Sequence, residues 1–257
     1  MVDTRTPSPT RSRPRLRRSR PWLIALALAM VAVGGGLVWF FGGDAPGEVD
    51  LVETATAVSD GSDVVTSAVT LAGIEGTWSV DTTVGDFTVT EDTTATFAGF
   101  RVEEVLTSIG STTAVGRSPN LSGTIEIDGT TLTSAELVVD LTTIVSDESR
   151  REAAIQRALG TGSNPLASFV LTEPIELGDT AASGELVSVI AVGELTLNGV
   201  DNTVDIPLEA QLVDGMILVT GSSDILFADY EVTAPSAPVV VSVEDNGILE
   251  FQLWLSR

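Results

Sequence analysis

The stretch Leu121-Ser122-Gly123-Thr124-Ile125-Glu126-Ile127-Asp128-Gly129 decides how this chain folds. Leu121, Gly123, Ile125 and Ile127 fall on one face of an extended strand and Thr124 and Glu126 on the other, because successive side chains of a strand point to opposite sides. Asp128-Gly129 follows at once and supplies the two residues tolerant of positive φ that a two-residue type I′ hairpin needs. Asn198-Gly199, Asp214-Gly215 and Asn246-Gly247 repeat the device. Strands that alternate and then turn back on themselves are antiparallel β structure.

Working outward, the same alternation appears at Leu137, Val139 and Leu141, at Phe169 and Leu171, and at Val187, Val189, Ala191, Gly193, Leu195 and Leu197. It continues at Val204, Ile206 and Leu208 and at Leu249, Phe251, Leu253 and Leu255. Residues 74–257 therefore read as one all-β domain, and the pattern leaves a closed barrel and a sandwich both open. One segment breaks it. Ser146-Asp147-Glu148-Ser149-Arg150-Arg151-Glu152 sets acids and capping residues ahead of Ala153, Ala154, Ile155, Ala158 and Leu159, which predicts a short helix between strands. Ser149 and Glu152 have capping-box spacing, and Gly160 can close the C-terminus.

Ahead of this domain the composition changes twice. All 13 basic residues are Arg, and seven of them (Arg5, Arg11, Arg13, Arg15, Arg17, Arg18 and Arg20) precede an uncharged apolar run over 22–41. A helix over that run would reach about 30 Å, the thickness of the hydrocarbon core of a bilayer. The positive-inside bias predicts an Arg-rich cytoplasmic tail over 1–21, a single-pass membrane anchor over 22–41 and an extracytoplasmic remainder. Run length and the Asp44-Ala45-Pro46 flank favour an uncleaved anchor over a cleaved signal peptide. Residues 42–73 have linker composition, and a flexible coil of that length would hold the domain roughly 30 Å from the membrane.

Beyond residue 42 the chain carries six Arg against 35 Asp and Glu, a net charge of −29, which repels nucleic acid. With no His, Cys or Lys, the commonest general base, the thiol nucleophile, Schiff-base chemistry and the usual zinc ligands are all missing. Carboxylates remain. Glu103-Glu104 and the pair Asp224 and Asp229 are the nearest candidates for acid–base work or calcium, but adjacent strand residues face opposite ways and no calcium loop is present. Solvated strand faces account for these acids better, and no enzyme, metal or cofactor is expected.

Three ordered blocks carry a resemblance to a known family. Gly76-Thr77-Trp78-Ser79-Val80-Asp81 is similar to the first strand of the YceI-like, or polyisoprenoid-binding, family. The helix run into Asn164-Pro165-Leu166-Ala167-Ser168-Phe169 is similar to a second block of it, and Gly193-Glu194-Leu195-Thr196-Leu197-Asn198-Gly199-Val200 resembles its L-T-x-x-G-V hairpin. The chain departs from the family pattern after Asp81, where Thr82-Thr83-Val84-Gly85 stands in place of an element containing His.

The resemblance implies an antiparallel lipocalin-like β-barrel of about eight strands with a short helical insertion, preceded here by the transmembrane helix. It further implies a ligand of isoprenoid type, a polyisoprenoid lipid or quinone tail, held in an apolar interior for storage, shielding or transport. Alternation places Phe97, Val139, Leu141, Phe169, Leu195, Leu197, Phe227 and Phe251 as candidate lining residues, although a packed core has the same periodicity. The competing reading is a non-catalytic structural or interaction module of the cell envelope.

Overall fold

The structure is a computed structural model that describes residues 45–61, 73–89, 92–107, 110–235 and 240–257. The tail over 1–21 and the apolar run over 22–41 lie outside the described residues. Among the described residues, no helix is long and apolar enough to cross a membrane.

The elements are a helix, α1 (Leu51–Gly61), then β1 (Gly76–Asp81), β2 (Phe97–Leu106), β3 (Gly110–Ser118), β4 (Leu121–Asp128), β5 (Thr131–Asp140) and β6 (Val145–Ser146). A second helix, α2 (Ser149–Ala158), precedes β7 (Leu166–Leu171), β8 (Ile175–Glu176), β9 (Val187–Leu197), β10 (Val200–Val213), β11 (Met216–Leu226), β12 (Val240–Val243) and β13 (Asn246–Ser256). Strands β1, β4, β5, β7, β9, β10, β11 and β13 hydrogen-bond in that order, and β13 returns to β1. The result is a closed antiparallel barrel of eight strands.

One strand closes the ring and also branches from it. The C-terminal part of β13 pairs with β1 through Ser79–Ser256, Val80–Leu255 and Asp81–Trp254, while its N-terminal part, Ile248 to Gln252, pairs with β2. A wing of β2, β3 and β6 thus continues the wall on the same side. The closing corner is tied by Asp81, which accepts from Thr83 N at 2.8 Å, Thr83 Oγ1 at 2.6 Å and Ser256 Oγ at 2.9 Å. These bonds to the ionised form hold its carboxyl below the ordinary aspartate range.

The turns follow local chemistry with two exceptions. Asn198-Gly199 and Asp214-Gly215 take positive φ at both positions (53° and 79°, 50° and 82°), as the type I′ turn demands. At the first hairpin the register Asp128–Thr131 moves the loop to Gly129-Thr130, so only Gly129 has positive φ, at 63°. Asn246-Gly247 is not a hairpin. It opens β13, because β12 and β13 lie end to end along the same edge of β2 rather than against each other.

The helix expected between strands is α2, but its N-cap is Glu148 and makes no side-chain cap bond, so the expected capping box does not form. Asp147 instead receives both bonds from Arg151 Nη1, each 3.0 Å. Gly160 (φ 63°) does end the helix.

The linker expectation fails over 45–61. Leu51 of α1, 1 % exposed, packs with Val213, Leu218 and Trp254 on the outside of the barrel. Thr54 Oγ1 donates to Gln252 Oε1 at 2.7 Å. Ahead of α1 the carbonyls of Pro46 and Gly47 accept from Arg101 and that of Gly47 also from Arg117, the Arg101–Pro46 bond being 2.8 Å. These two guanidiniums flank Glu250 at 2.7 and 3.0 Å, and Arg117 also stacks 4.4 Å over the Phe97 ring. Linker composition misled because a few apolar residues, Leu51 foremost, have a ready-made outer patch to cover.

Glu250 and Arg117, each 1 % exposed, also correct the expectation that the acids occupy solvated faces. A buried carboxylate between two buried guanidiniums is tolerable only while all three are present. Glu250→Gln therefore leaves two buried cations without their counter-charge. The expected loss is about 3–5 kcal/mol of stability, read as a lower denaturant midpoint at unchanged slope.

Candidate functional site

The pleat sends alternate side chains of the ring strands inward, and that inward set is apolar almost throughout. It encloses a cavity of ≈ 940 Å³, near the top of the roughly 300–1,000 Å³ range of small-molecule sites. One end is plugged. Ile74, Trp78, Ile127, Leu132, Ile175, Ala181 and Leu255 form a buried cluster there, and Trp78 Nε1 donates to Ile74 O at 2.8 Å.

Across the other end lies α2, with Arg151, Ala154, Ile155, Ala158 and Leu159 on the lumen side at helical spacing. Phe227, Val232 and Val240 continue the lining there. The helix is held by Gln156 Nε2, which donates to Leu141 O at 2.8 Å, and by an asparagine relay beyond its C-terminus. Asn164 Nδ2 donates to Asn198 O at 3.0 Å, and Asn198 Nδ2 to Tyr230 O at 3.1 Å. Two of the sequence blocks singled out above thus meet in space.

Bulky rings do not fill the lumen, because each presses against a glycine on the next strand. A Cβ at Gly116, Gly193 or Gly221 would fall 2.6, 2.3 or 2.4 Å from a ring carbon of Phe100, Phe169 or Phe251 respectively. The missing Cβ lets the ring sit against the wall.

Of the residues expected to line the interior, Val139, Leu141, Phe169, Leu195, Leu197, Phe227 and Phe251 are at the cavity wall. Phe97 is not. It shares β2 with Ala98, Phe100, Val102 and Leu106, which face in, so its odd position sends it outward beneath Arg117. The aromatic that β2 contributes is Phe100, three residues on and hence on the opposite face.

Two charged residues of the lining were missed as well, Glu104 and Arg151. Arg151 Nη2 lies 2.6 Å from Glu104 Oε1, while Nη1 holds Asp147, and the side chains of Glu104, Asp147 and Arg151 are 7 %, 9 % and 14 % exposed. The Glu104 contact is a close charge pair without the alignment of a hydrogen bond. Burial pushes the Glu104 carboxyl above the ordinary glutamate range, against the pull of Arg151 and with a smaller push from Asp147.

A signal for both was present, since Glu104 falls in step with Ala98, Phe100, Val102 and Leu106, and Arg151 stands three and four residues before Ala154 and Ile155. Glu103 next door is exposed, as are Asp224 and Asp229. Among the described residues no group of metal-ligating side chains gathers.

A small closed barrel around an apolar cavity places the molecule in the structural class to which lipocalins belong. The chain belongs to the YceI-like domain family, which matches residues 89–255. Among solved structures it is similar to a polyisoprenoid binding domain from Saccharophagus degradans implicated in plant cell wall breakdown. That likeness has 24 % identity and a TM-score of 0.54 over 70 % of this chain and 97 % of that one. It is also similar to BcnA of Burkholderia cenocepacia (16 % identity, TM-score 0.46, 61 % of this chain and 95 % of that one) and to a Campylobacter jejuni YCEI protein (13 %, 0.44, 54 % and 82 %). No curated protein matches the chain.

Two outcomes follow from the cavity wall. In Gly221→Ala the new methyl displaces the Phe251 ring into open lumen, so the denaturation midpoint should barely move. Binding of an apolar chain should weaken by about tenfold, equivalent to about 1.4 kcal/mol, because the displaced ring takes up lumen space. Glu104→Gln tests the buried charge. Because the folded pKa is raised, ionised Glu104 costs stability at neutral pH, and that cost fades as pH falls through the folded value toward the unfolded one. The stability advantage of Glu104→Gln at pH 7 should accordingly shrink on acidification toward pH ~4.5, followed by denaturant titration at each pH.

Proposed function

We propose that this chain is a non-catalytic carrier that takes one long hydrophobic chain, a polyisoprenoid lipid or the tail of an isoprenoid quinone, into its barrel for storage, shielding or transport. The observation that carries this reading is the enclosed apolar lumen of ≈ 940 Å³, plugged at one end and bordered by a helix at the other. A slender flexible chain suits such a space because its rings lie back against glycines, leaving a continuous apolar lumen. Membership of the YceI-like family supports the reading, as does the name of the Saccharophagus degradans neighbour.

The same proposal places the barrel on the extracytoplasmic side of the cell membrane, anchored by the apolar run over 22–41 with the Arg-rich tail in the cytoplasm. The charge asymmetry of the sequence supports that orientation. The contacts of Pro46 and Gly47 shorten the leash. Only four residues separate Phe41 from Pro46, and the five steps between them reach at most roughly 17 Å of extended chain. A barrel held that close stays within reach of the bilayer in which such a cargo dissolves.

The test uses the full chain purified from membranes and moved into nanodiscs of defined phospholipid. Saturable uptake of a C30 to C40 isoprenoid hydrocarbon above protein-free nanodiscs is expected, together with retention in the membrane pellet after an alkaline wash. Absence of uptake would refute carriage, and release by the wash would refute the anchor.

A further inference from the structure

Among the described lining residues charge appears at one place of the lumen wall, and that place is a built ionic cluster. Glu104 points inward from β2, Arg151 points inward from α2, and Asp147 backs Arg151 from the residue pair before the helix. Closing the end of an empty or filled barrel needs no charge, and apolar residues at 104 and 151 would do so without desolvating a carboxylate. The cluster lies at the α2 end, opposite the plug of Ile74, Trp78 and Leu255, so a chain threaded tail-first toward the plug leaves its head beside Glu104.

The donor and acceptor balance of the cluster defines what that head can be. Two carboxylates against one guanidinium give a net charge of −1. Arg151 spends one terminal nitrogen on both oxygens of Asp147 and the other on Glu104. Glu104 Oε1 receives no well-aligned hydrogen bond although it is buried, so it keeps acceptor capacity at the lumen wall.

Resting on the carrier reading above, we infer that Glu104, Arg151 and Asp147 form a headgroup subsite that selects an uncharged, hydrogen-bond-donating head, an alcohol or a hydroquinone hydroxyl, and rejects a phosphorylated one. A hydroxyl gives Glu104 the aligned donor it lacks. A phosphate would set its charge against two buried carboxylates, with no free cation among the described lining residues to offset it. Burial raises the cost of that repulsion relative to the protein surface.

The experiment compares three probes with one isoprenoid chain and different ends, a hydrocarbon, an alcohol and a monophosphate, in partition assays on the full chain in phosphatidylcholine nanodiscs. The alcohol is expected to bind about tenfold or more tighter than the monophosphate, the scale of one hydrogen bond to a charged group. Glu104→Gln should narrow that gap several-fold, read as the ratio of the alcohol to the monophosphate binding constant with each normalised to the hydrocarbon in the same variant. Equal or tighter binding of the monophosphate to the wild-type protein would overturn the subsite and leave carriage standing, as would an unchanged gap in Glu104→Gln. Failure of all three probes to bind would instead refute carriage itself.

Discussion

The pairing of β13 with β1 is the contact on which the rest of the molecule depends. Three residue pairs, Ser79–Ser256, Val80–Leu255 and Asp81–Trp254, turn an open sheet into a ring, and only a ring has an inside. Their sequence separation makes this the costliest contact to form in entropic terms, and the chain reinforces it locally. Asp81 caps its own turn and binds Ser256, Trp78 anchors to Ile74, and Arg257 stacks 4.2 Å over the Trp78 ring. The same corner plugs one end of the lumen, so closure of the wall and closure of the cavity are one event.

Once the ring exists, the two-residue period of the pleat sorts charge as strictly as it sorts apolar groups. Both ionic clusters of the barrel draw on β2. Arg101 is on its outer face and joins Glu250 and Arg117 beneath the segment around Pro46, while Glu104, an odd number of residues on, is on the inner face and meets Arg151 from α2. Carboxylates buried among apolar neighbours persist because each has an arginine beside it. The outer cluster fastens the chain that arrives from the membrane side in the proposed topology. The inner one is the charged spot of the lumen wall on which the proposed headgroup subsite rests.

Much of the wall was legible because alternation is a local property. Val139, Leu141, Phe169, Leu195, Leu197, Phe227 and Phe251 line the cavity, as the period of the strands implies. Phe97 departs from that expectation because it is out of step with Val102 and Leu106, which share its strand and face the lumen. Glu104 reads as part of a solvated face because a charge in a strand has no other local meaning until an arginine is found beside it. Likewise α1 was hidden in linker composition, since its one decisive side chain, Leu51, acquires meaning only against Val213, Leu218 and Trp254.

By itself the sequence determined that the chain is all-β and antiparallel, where a helix interrupts the strands, which turns reverse the chain at Asn198-Gly199 and Asp214-Gly215, and what chemistry is excluded by the missing His, Cys and Lys. These follow from side-chain period, backbone preference and composition, all of which act over a few residues. Only the tertiary structure decided between barrel and sandwich, left the lumen open, and brought Arg151 to Glu104 and Arg117 to Glu250. The reason is distance along the chain: partners 47 and 133 residues apart are joined by closure of the ring and packing of α2 across it, and no local rule carries that far.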